Sequence, residues 1–252
     1  MTISRNIRNI IIGFIILIAV WQLVVVIGKY DSALFPSPLL VFEGIVSLIR
    51  DGTLFIHFQV SLLRFLAGYL LAVVSAVTLG LLLGRMPSLW GVIDPIVQIL
   101  RPVSPIAWSP FIVLWFGIGD IPAIVIIFIA AFFPVLLSTV SAVRKVDKTY
   151  LKVAENFEIN RFSLLRKIIF PAAFPMIANG LHIAVGTAWV FLVAGEMVGA
   201  QSGLGYLIVD ARNSMRLDLV MAGILFIGIS GLLLDKLVGV FEQSINRIWG
   251  RG

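Results

Sequence analysis

The residues that could do chemistry in this chain are few, and most sit inside long apolar stretches. Asp94, Arg101, Trp108 and Trp115 recur every seven residues, which on a straight helix places them on one face. His182, Gly186, Trp189, Val193 and Glu196 share a face in the same way. An ionisable side chain is costly in hydrocarbon, so such residues mark either a solute pathway or a structural pairing. Pro102 and Pro105 disturb the helix around Arg101 and free backbone carbonyls, which is tolerated where backbone is buried or lines a cavity. The chemistry this implies is recognition and passage of a solute. No G-x-x-x-x-G-K-S/T phosphate loop, H-E-x-x-H or G-x-S-x-G occurs, so ATP binding by that loop, metalloproteolysis and serine hydrolysis have no motif. His57 and His182 each lack a second ligand at helix spacing, so no metal site is expected. The absence of Cys excludes disulfides and thiolate chemistry. No cofactor is expected.

The elements that must position these residues are membrane spans. The 252 residues are 60% hydrophobic and 13% charged, against roughly 25% charged in a soluble domain. A soluble fold could not hide that much apolar surface. Six all-α spans are read at about 10–27, 62–84, 92–116, 121–143, 174–198 and 219–240, each near the roughly 20 residues that cross a bilayer. The first is read as retained, because no small-residue cleavage site follows it. Arg5, Arg8, Arg85, Lys236, Arg247, Arg251 and seven basic residues between Arg144 and Lys167 then fall on one side. That bias predicts both termini inside, in the cell membrane. It also accounts for the net charge of +6 without nucleic acid as a partner. No repeat or soluble-domain boundary is found, so residues 1–252 are one domain.

Depth arithmetic restrains the pairing of these charges. Arg101 lies about nine residues into its span and Glu196 about 22 into its own, roughly 14 and 33 Å at 1.5 Å per residue. An Arg101–Glu196 pair is therefore not expected. Arg101, Ser104, Trp108, His182 and Trp189 are read as pathway residues, with Glu196 at the outer mouth. The alternative is that Arg101, His182 and Glu196 are structural, bonded to helix ends or free carbonyls. Gly68, Ala72, Ala76, Gly80 and Gly84 recur every four residues, a stripe that lets helices approach closely, within the subunit or between subunits. Outside, Leu39, Phe42, Ile45, Val46 and Ile49 follow Phe35-Pro36-Ser37-Pro38 at helical spacing, predicting a short interfacial helix.

The inside loop at 144–171 is the longest polar stretch. Asp147 can cap a helix starting at Lys148, with Leu151, Ala154 and Phe157 on one face, and Asn160 can cap a second one. This is either a surface connector or a helix that docks in a partner's groove. Lys152-Val153-Ala154-Glu155-Asn156-Phe157-Glu158, followed by Ile168-Ile169-Phe170-Pro171, resembles the loop by which ABC importer permeases couple to their ATPases. Lys152 stands where that family has Glu, and Glu158 where it has Gly. Gly would allow a positive φ at little cost, so the turn is expected to shift to Asn160.

Further segments are similar to the nitrate/sulfonate/taurine subfamily over about residues 34–242. They include Val60-Ser61-Leu62-Leu63-Arg64, residues Arg101 to Trp108, Leu114 to Gly119, Ala188-Trp189, Gly195-Glu196-Met197 and Gly203-Leu204-Gly205. The resemblance implies a type I ABC importer permease fold with no catalytic site of its own. It implies two ATPase subunits, a second permease copy (a homodimer or a sister chain) and an extracytoplasmic binding protein. The solute would be a small anion or sulfonate, alternatively a pyrimidine- or flavin-type cofactor precursor. A self-sufficient secondary transporter would instead need paired mid-membrane acids, which Asp94 and Glu196 do not supply.

Overall fold

A computed structural model of the chain describes residues 2–29, 31 and 34–248. Tyr30 and Arg251 lie outside the described residues, as do the side chains of Arg5, Lys148, Leu151, Arg161 and Arg247. Every regular element among the described residues is a helix, with no strand. The long helices are α1 (Thr2–Gly28), α3 (Thr53–Gly84), α6 (Asp120–Arg144), α9 (Phe170–Gly199) and α11 (Leu217–Ile248). Shorter ones are α2 (Pro38–Arg50), α4 (Pro87–Leu100), α5 (Ser109–Phe116), α7 (Lys148–Asn156), α8 (Arg161–Leu164) and α10 (Leu204–Asn213).

By length and composition, four helical stretches among the described residues can cross a membrane, and α4 with α5 makes a fifth if counted as one bent span. The apolar part of α1, Ile12–Gly28, is shorter. It touches the rest through α2 and the segment before it, where Trp21 donates to the Pro36 carbonyl at 3.2 Å.

The core is α3, α6 and α9. The four-residue stripe of α3 explains their closeness. A Cβ at Gly68 would lie 2.7 Å from the Ile124 carbonyl, one at Gly80 2.6 Å from Thr139 Cβ, and one at Gly84 2.7 Å from Val143 Cβ. Ala72 and Ala76 are fully buried beside Ile127, Ala131, Val135 and Leu136. The stripe is thus taken up by packing within the subunit. Helix α2 forms where the interfacial helix was expected, started by Pro38 and capped by Ser37. It buries Val41, Gly44 and Leu48 and leaves Leu39 and Phe42 exposed.

The expected third span is not straight. Helices α4 and α5 meet at 85°, joined by residues 101–104 and a 3-10 turn at Pro105–Trp108. Pro102 and Pro105 lack the N–H that would continue the ladder, so the helix ends after Leu100. The face that would have joined Asp94, Arg101, Trp108 and Trp115 is therefore split. The pair still runs the length of the bundle. Trp90, near the start of α4, shares a recess with Val140 and Arg144 at the end of α6. Beyond α5, the Gly119 amide donates to the Gly199 carbonyl at 2.9 Å, where α9 ends.

Candidate functional site

Three places concentrate the polar groups of this apolar chain. The first is the break between α4 and α5. Here Arg101, Ser104 and Thr187 line a cleft of about 320 Å³ whose other walls include Phe133, Pro134 and Phe191. Arg101 is exposed and its side chain makes no hydrogen bond or ion pair among the described residues, so its guanidinium is free to meet an anion. The unwound backbone at 101–104 lines the same cleft, as expected for irregular structure at membrane depth. Thr187 and Phe191, from α9, were not legible as partners, because their meeting with Arg101 depends on the 85° bend.

The other proposed pathway residues are elsewhere. Trp108 lies against Phe111, ring centroids 6.4 Å apart, outside the cleft lining. His182 Nε2 lies 2.8 Å from Asp235 Oδ1 on α11. Trp189 is buried and donates to the Ile227 carbonyl at 3.1 Å, with its ring edge against Gly231. These two residues fasten α9 to α11.

The second place is a buried ionic cluster at the end of the bundle that holds α2 and α10. Arg64 on α3 is 3% exposed and Glu196 on α9 is 1% exposed. Arg64 Nη1 donates to Glu196 Oε1 at 2.8 Å and to the Ser202 carbonyl at 2.6 Å. Its Nε reaches Asp120 Oδ1 at 2.9 Å and its Nη2 reaches Ser202 Oγ at 2.7 Å. Glu196 also accepts from Ser61 Oγ at 2.8 Å and from the Gly205 amide at 2.9 Å. Ser61 Oγ in turn accepts from the Leu204 amide at 2.8 Å, and His57 Nδ1 accepts from the Gly203 amide at 3.0 Å. Every donor of one guanidinium and both oxygens of one carboxylate are used, which is what burial of the pair requires. Gly203 has φ +103, and a Cβ there would run into the Glu196 carboxylate. The cluster ties α3, α6, α9 and the start of α10 together. Glu196 thus sits at the expected end of α9, but as a buried knot. Arg64 and Glu196 were readable as neighbours in depth, since α3 begins at the end where α9 finishes.

The third place is the 144–171 segment at the opposite end. Asp147 caps α7, its Oδ1 accepting from the Thr149 amide at 2.8 Å. The Thr149 hydrogen bonds hold its carboxyl below the ordinary aspartate value. Asn160 Oδ1 caps α8, accepting from the Ser163 amide at 2.7 Å. The turn between them corrects the expectation. Glu158 itself takes the left-handed conformation, φ +50. The Ile159 amide bonds the Ala154 carbonyl at 3.0 Å and the Glu158 amide bonds the Glu155 carbonyl at 3.0 Å, the paired bonds of a Schellman ending. They outweigh the penalty of about 1–2 kcal/mol for an L-residue in that region.

The face of α7 also differs. Ala154 is buried, turned into the protein. Tyr150, Val153 and Phe157 are exposed, Phe157 by 75%, and Lys152, Glu155, Asn156 and Glu158 surround them on the open side. After α8 the helix widens into a π turn at Leu165–Ile169, closed by the Phe170 amide on the Leu165 carbonyl. Pro171, next in line, has no N–H and needs room for its ring, which places the wide turn just before it. Among the described residues no group of three His, Asp or Glu is arranged for a metal.

The comparisons agree on one family. The profile described as "Binding-protein-dependent transport system inner membrane component" matches residues 76–247. The chain is 33% identical over 249 residues to the taurine transport system permease protein TauC of Escherichia coli, covering 97% of this chain and 90% of that one. It is 36% identical over 253 residues to the nitrate import permease protein NrtB of Leptolyngbya laminosa, covering 97% and 89%. SsuC of Bacillus subtilis, provisionally named for aliphatic sulfonates, is 35% identical over 230 residues, covering 91% and 83%. Among solved structures, a chain of the inward-facing MetNI methionine ABC transporter superposes with a TM-score of 0.56 at 22% identity, covering 71% of this chain and 93% of that one.

Proposed function

The chain belongs to the binding-protein-dependent transport system inner membrane components, the permease subunits of ABC importers, and from that premise we propose how its parts divide the work. It is a multi-pass cell-membrane protein and a transport subunit, with ATPase and binding-protein partners implied by the family. In our reading it forms six spans, α4 with α5 serving as the third, and both termini face the cytoplasm. Two copies enclose the path and two ATPases grip the 144–171 segments. A loaded binding protein docks where α2 and α10 lie. The solute is a small anion of the nitrate, sulfonate or taurine class, the solutes for which the relatives are named.

The observation that carries the coupling assignment is the exposed triad of Tyr150 and Val153 on α7 and Phe157 at its C-cap. Exposed large apolar side chains at i, i+3 and i+7 on a helix bracketed by charge fit a groove in a partner. Ala154, being buried, supports that helix from behind. For the solute, Arg101 supplies an unpaired guanidinium beside Ser104 and Thr187, while Arg64 and Arg216 are already held by carboxylates. An anion can therefore be met at Arg101 but not at those two.

The test is co-purification with the ATPase subunit of the same importer. Val153→Glu should abolish retention of the ATPase on a permease that still folds. Retention and coupled uptake equal to the unaltered complex would overturn the docking assignment.

A further inference from the structure

The loop-bearing end of the bundle holds an apolar slot with a cation at its rim that none of the roles above uses. It lies between the end of α3 and the helix returning from the coupling turn, has a volume of about 580 Å³, and is lined by Leu81, Leu82, Arg85, Met86, Phe162 and Leu165. Leu82, Met86 and Phe162 are exposed by 51%, 50% and 72%, so the walls are greasy and open. Arg85 is exposed and its side chain makes no hydrogen bond or ion pair with any described residue. A second recess at the same end repeats the pattern, with Trp90 as apolar wall and Arg144 and Lys145 at the rim, their side chains again without a partner among the described residues. The cavity at the opposite end is different: its arginine, Arg216, is held by Asp218 at 2.7 Å.

We propose that the Arg85 slot is a binding site for an anionic phospholipid of the inner leaflet. One acyl chain lies along Leu82, Met86 and Phe162, and Arg85 holds the headgroup phosphate. The location sets the occupant's class. The slot opens where α3 leaves the bilayer, and basic pockets between spans on the cytoplasmic side suit anionic headgroups. An apolar slot without a cation would accept any lipid tail, whereas a free arginine at its mouth selects for charge. Phe162 and Leu165 belong to the segment between the coupling turn and α9. A lipid seated there bridges α3 to that segment and steadies the coupling helix against the bundle. This rests on the cytoplasmic placement of the loop given under Proposed function.

The experiment uses the permease–ATPase complex in nanodiscs, carrying Leu82→Cys labelled with bimane. Fluorescence is quenched with brominated phosphatidylglycerol or brominated phosphatidylcholine. We expect the anionic lipid to quench at a concentration about fivefold lower, the preference one arginine near an anionic surface provides. Arg85→Gln should bring the two lipids to equal effect while ATPase retention is unchanged. Equal quenching in the unaltered complex would overturn the proposal. So would quenching by both lipids in permease nanodiscs lacking ATPase that disappears in the complex, since that makes the slot part of the ATPase contact. Loss of quenching when permeases associate without ATPase would assign it to the second copy and overturn it equally. ATP hydrolysis by the same preparation reports separately on the coupling assignment.

Discussion

Arg64 and Arg101 are both arginines set in apolar helices, and they live in opposite surroundings. Arg64 is 3% exposed and spends its guanidinium on Glu196, Asp120 and Ser202. Arg101 opens onto a cleft at a broken helix and spends nothing. The first arrangement is expensive to desolvate and strongly destabilising to break by halves. The second contributes little to the fold and leaves charge available. Charge in a membrane span therefore does not by itself indicate function. What separates the two is whether the structure has already supplied the counter-charge. The glycine-rich 199–205 segment shows the same logic, since Gly203 and Gly205 let two helix ends close over Glu196, whereas the proline-rich 101–105 segment keeps two helix ends apart.

The largest effect should come from cutting the knot. Arg64→Ala leaves Glu196 buried against Ser61 and Gly205 alone, and should cost about 3–5 kcal/mol, seen as a fall in the thermal unfolding midpoint of the purified complex. Arg64→Lys should recover little of it, because one ammonium cannot reach Asp120, Glu196 and Ser202 together. A lysine variant as stable as the original would erase the distinction drawn here between the two arginines.

Next in size is the coupling face. Phe157→Ala removes the most exposed aromatic of α7, and a buried interface anchor is worth about 2 kcal/mol or more. ATPase affinity should fall by about thirtyfold with no change in permease stability. A variant that binds ATPase normally but unfolds early would mean that Phe157 packs on its own subunit.

Glu158→Gly should act in the opposite direction. Relief of a left-handed L-residue stabilises the turn by about 1 kcal/mol, and slower amide exchange at Ile159 would register it. The smallest effect concerns pH. Asp147 has its carboxyl lowered by the Thr149 hydrogen bonds. Its capping contribution is therefore complete above the unfolded aspartate value of about 3.9 and is lost as pH falls through the lower folded value. The protection the cap gives to amides in the first turn of α7 should therefore be constant between about pH 5 and 8. Asp147→Ala should remove the protection across that range.

Much of the fold was legible because apolar runs and their caps are local facts. The sequence places α2, α6 and α9 within a few residues, and Asp147 and Asn160 cap the helices expected of them. The failures share a cause. Pro102 and Pro105 signal a disturbance of the helix that would join Asp94 to Trp115, but the 85° angle there is set by how α5 packs on α6 and α9. The period of α7 puts Leu151, Ala154 and Phe157 on one face, but Ala154 is buried while Val153 and Phe157 are exposed, a division that depends on packing rather than on spacing. At Glu158 a steric penalty was weighed without the two hydrogen bonds that offset it. The depth arithmetic that separates Arg101 from Glu196 also puts Arg64 level with Glu196, since α3 starts at the end where α9 finishes.

The central claim is that Arg101 is free in order to meet the solute. The direct test is ATP-driven uptake by proteoliposomes holding the full importer, with taurine, ethanesulfonate and nitrate as probes. Arg101→Ala should assemble with ATPase, keep its unfolding temperature, and lose at least about tenfold in uptake, the cost of one charge-assisted contact of roughly 1.5–3 kcal/mol. Uptake with unchanged rate and half-saturation would contradict the account.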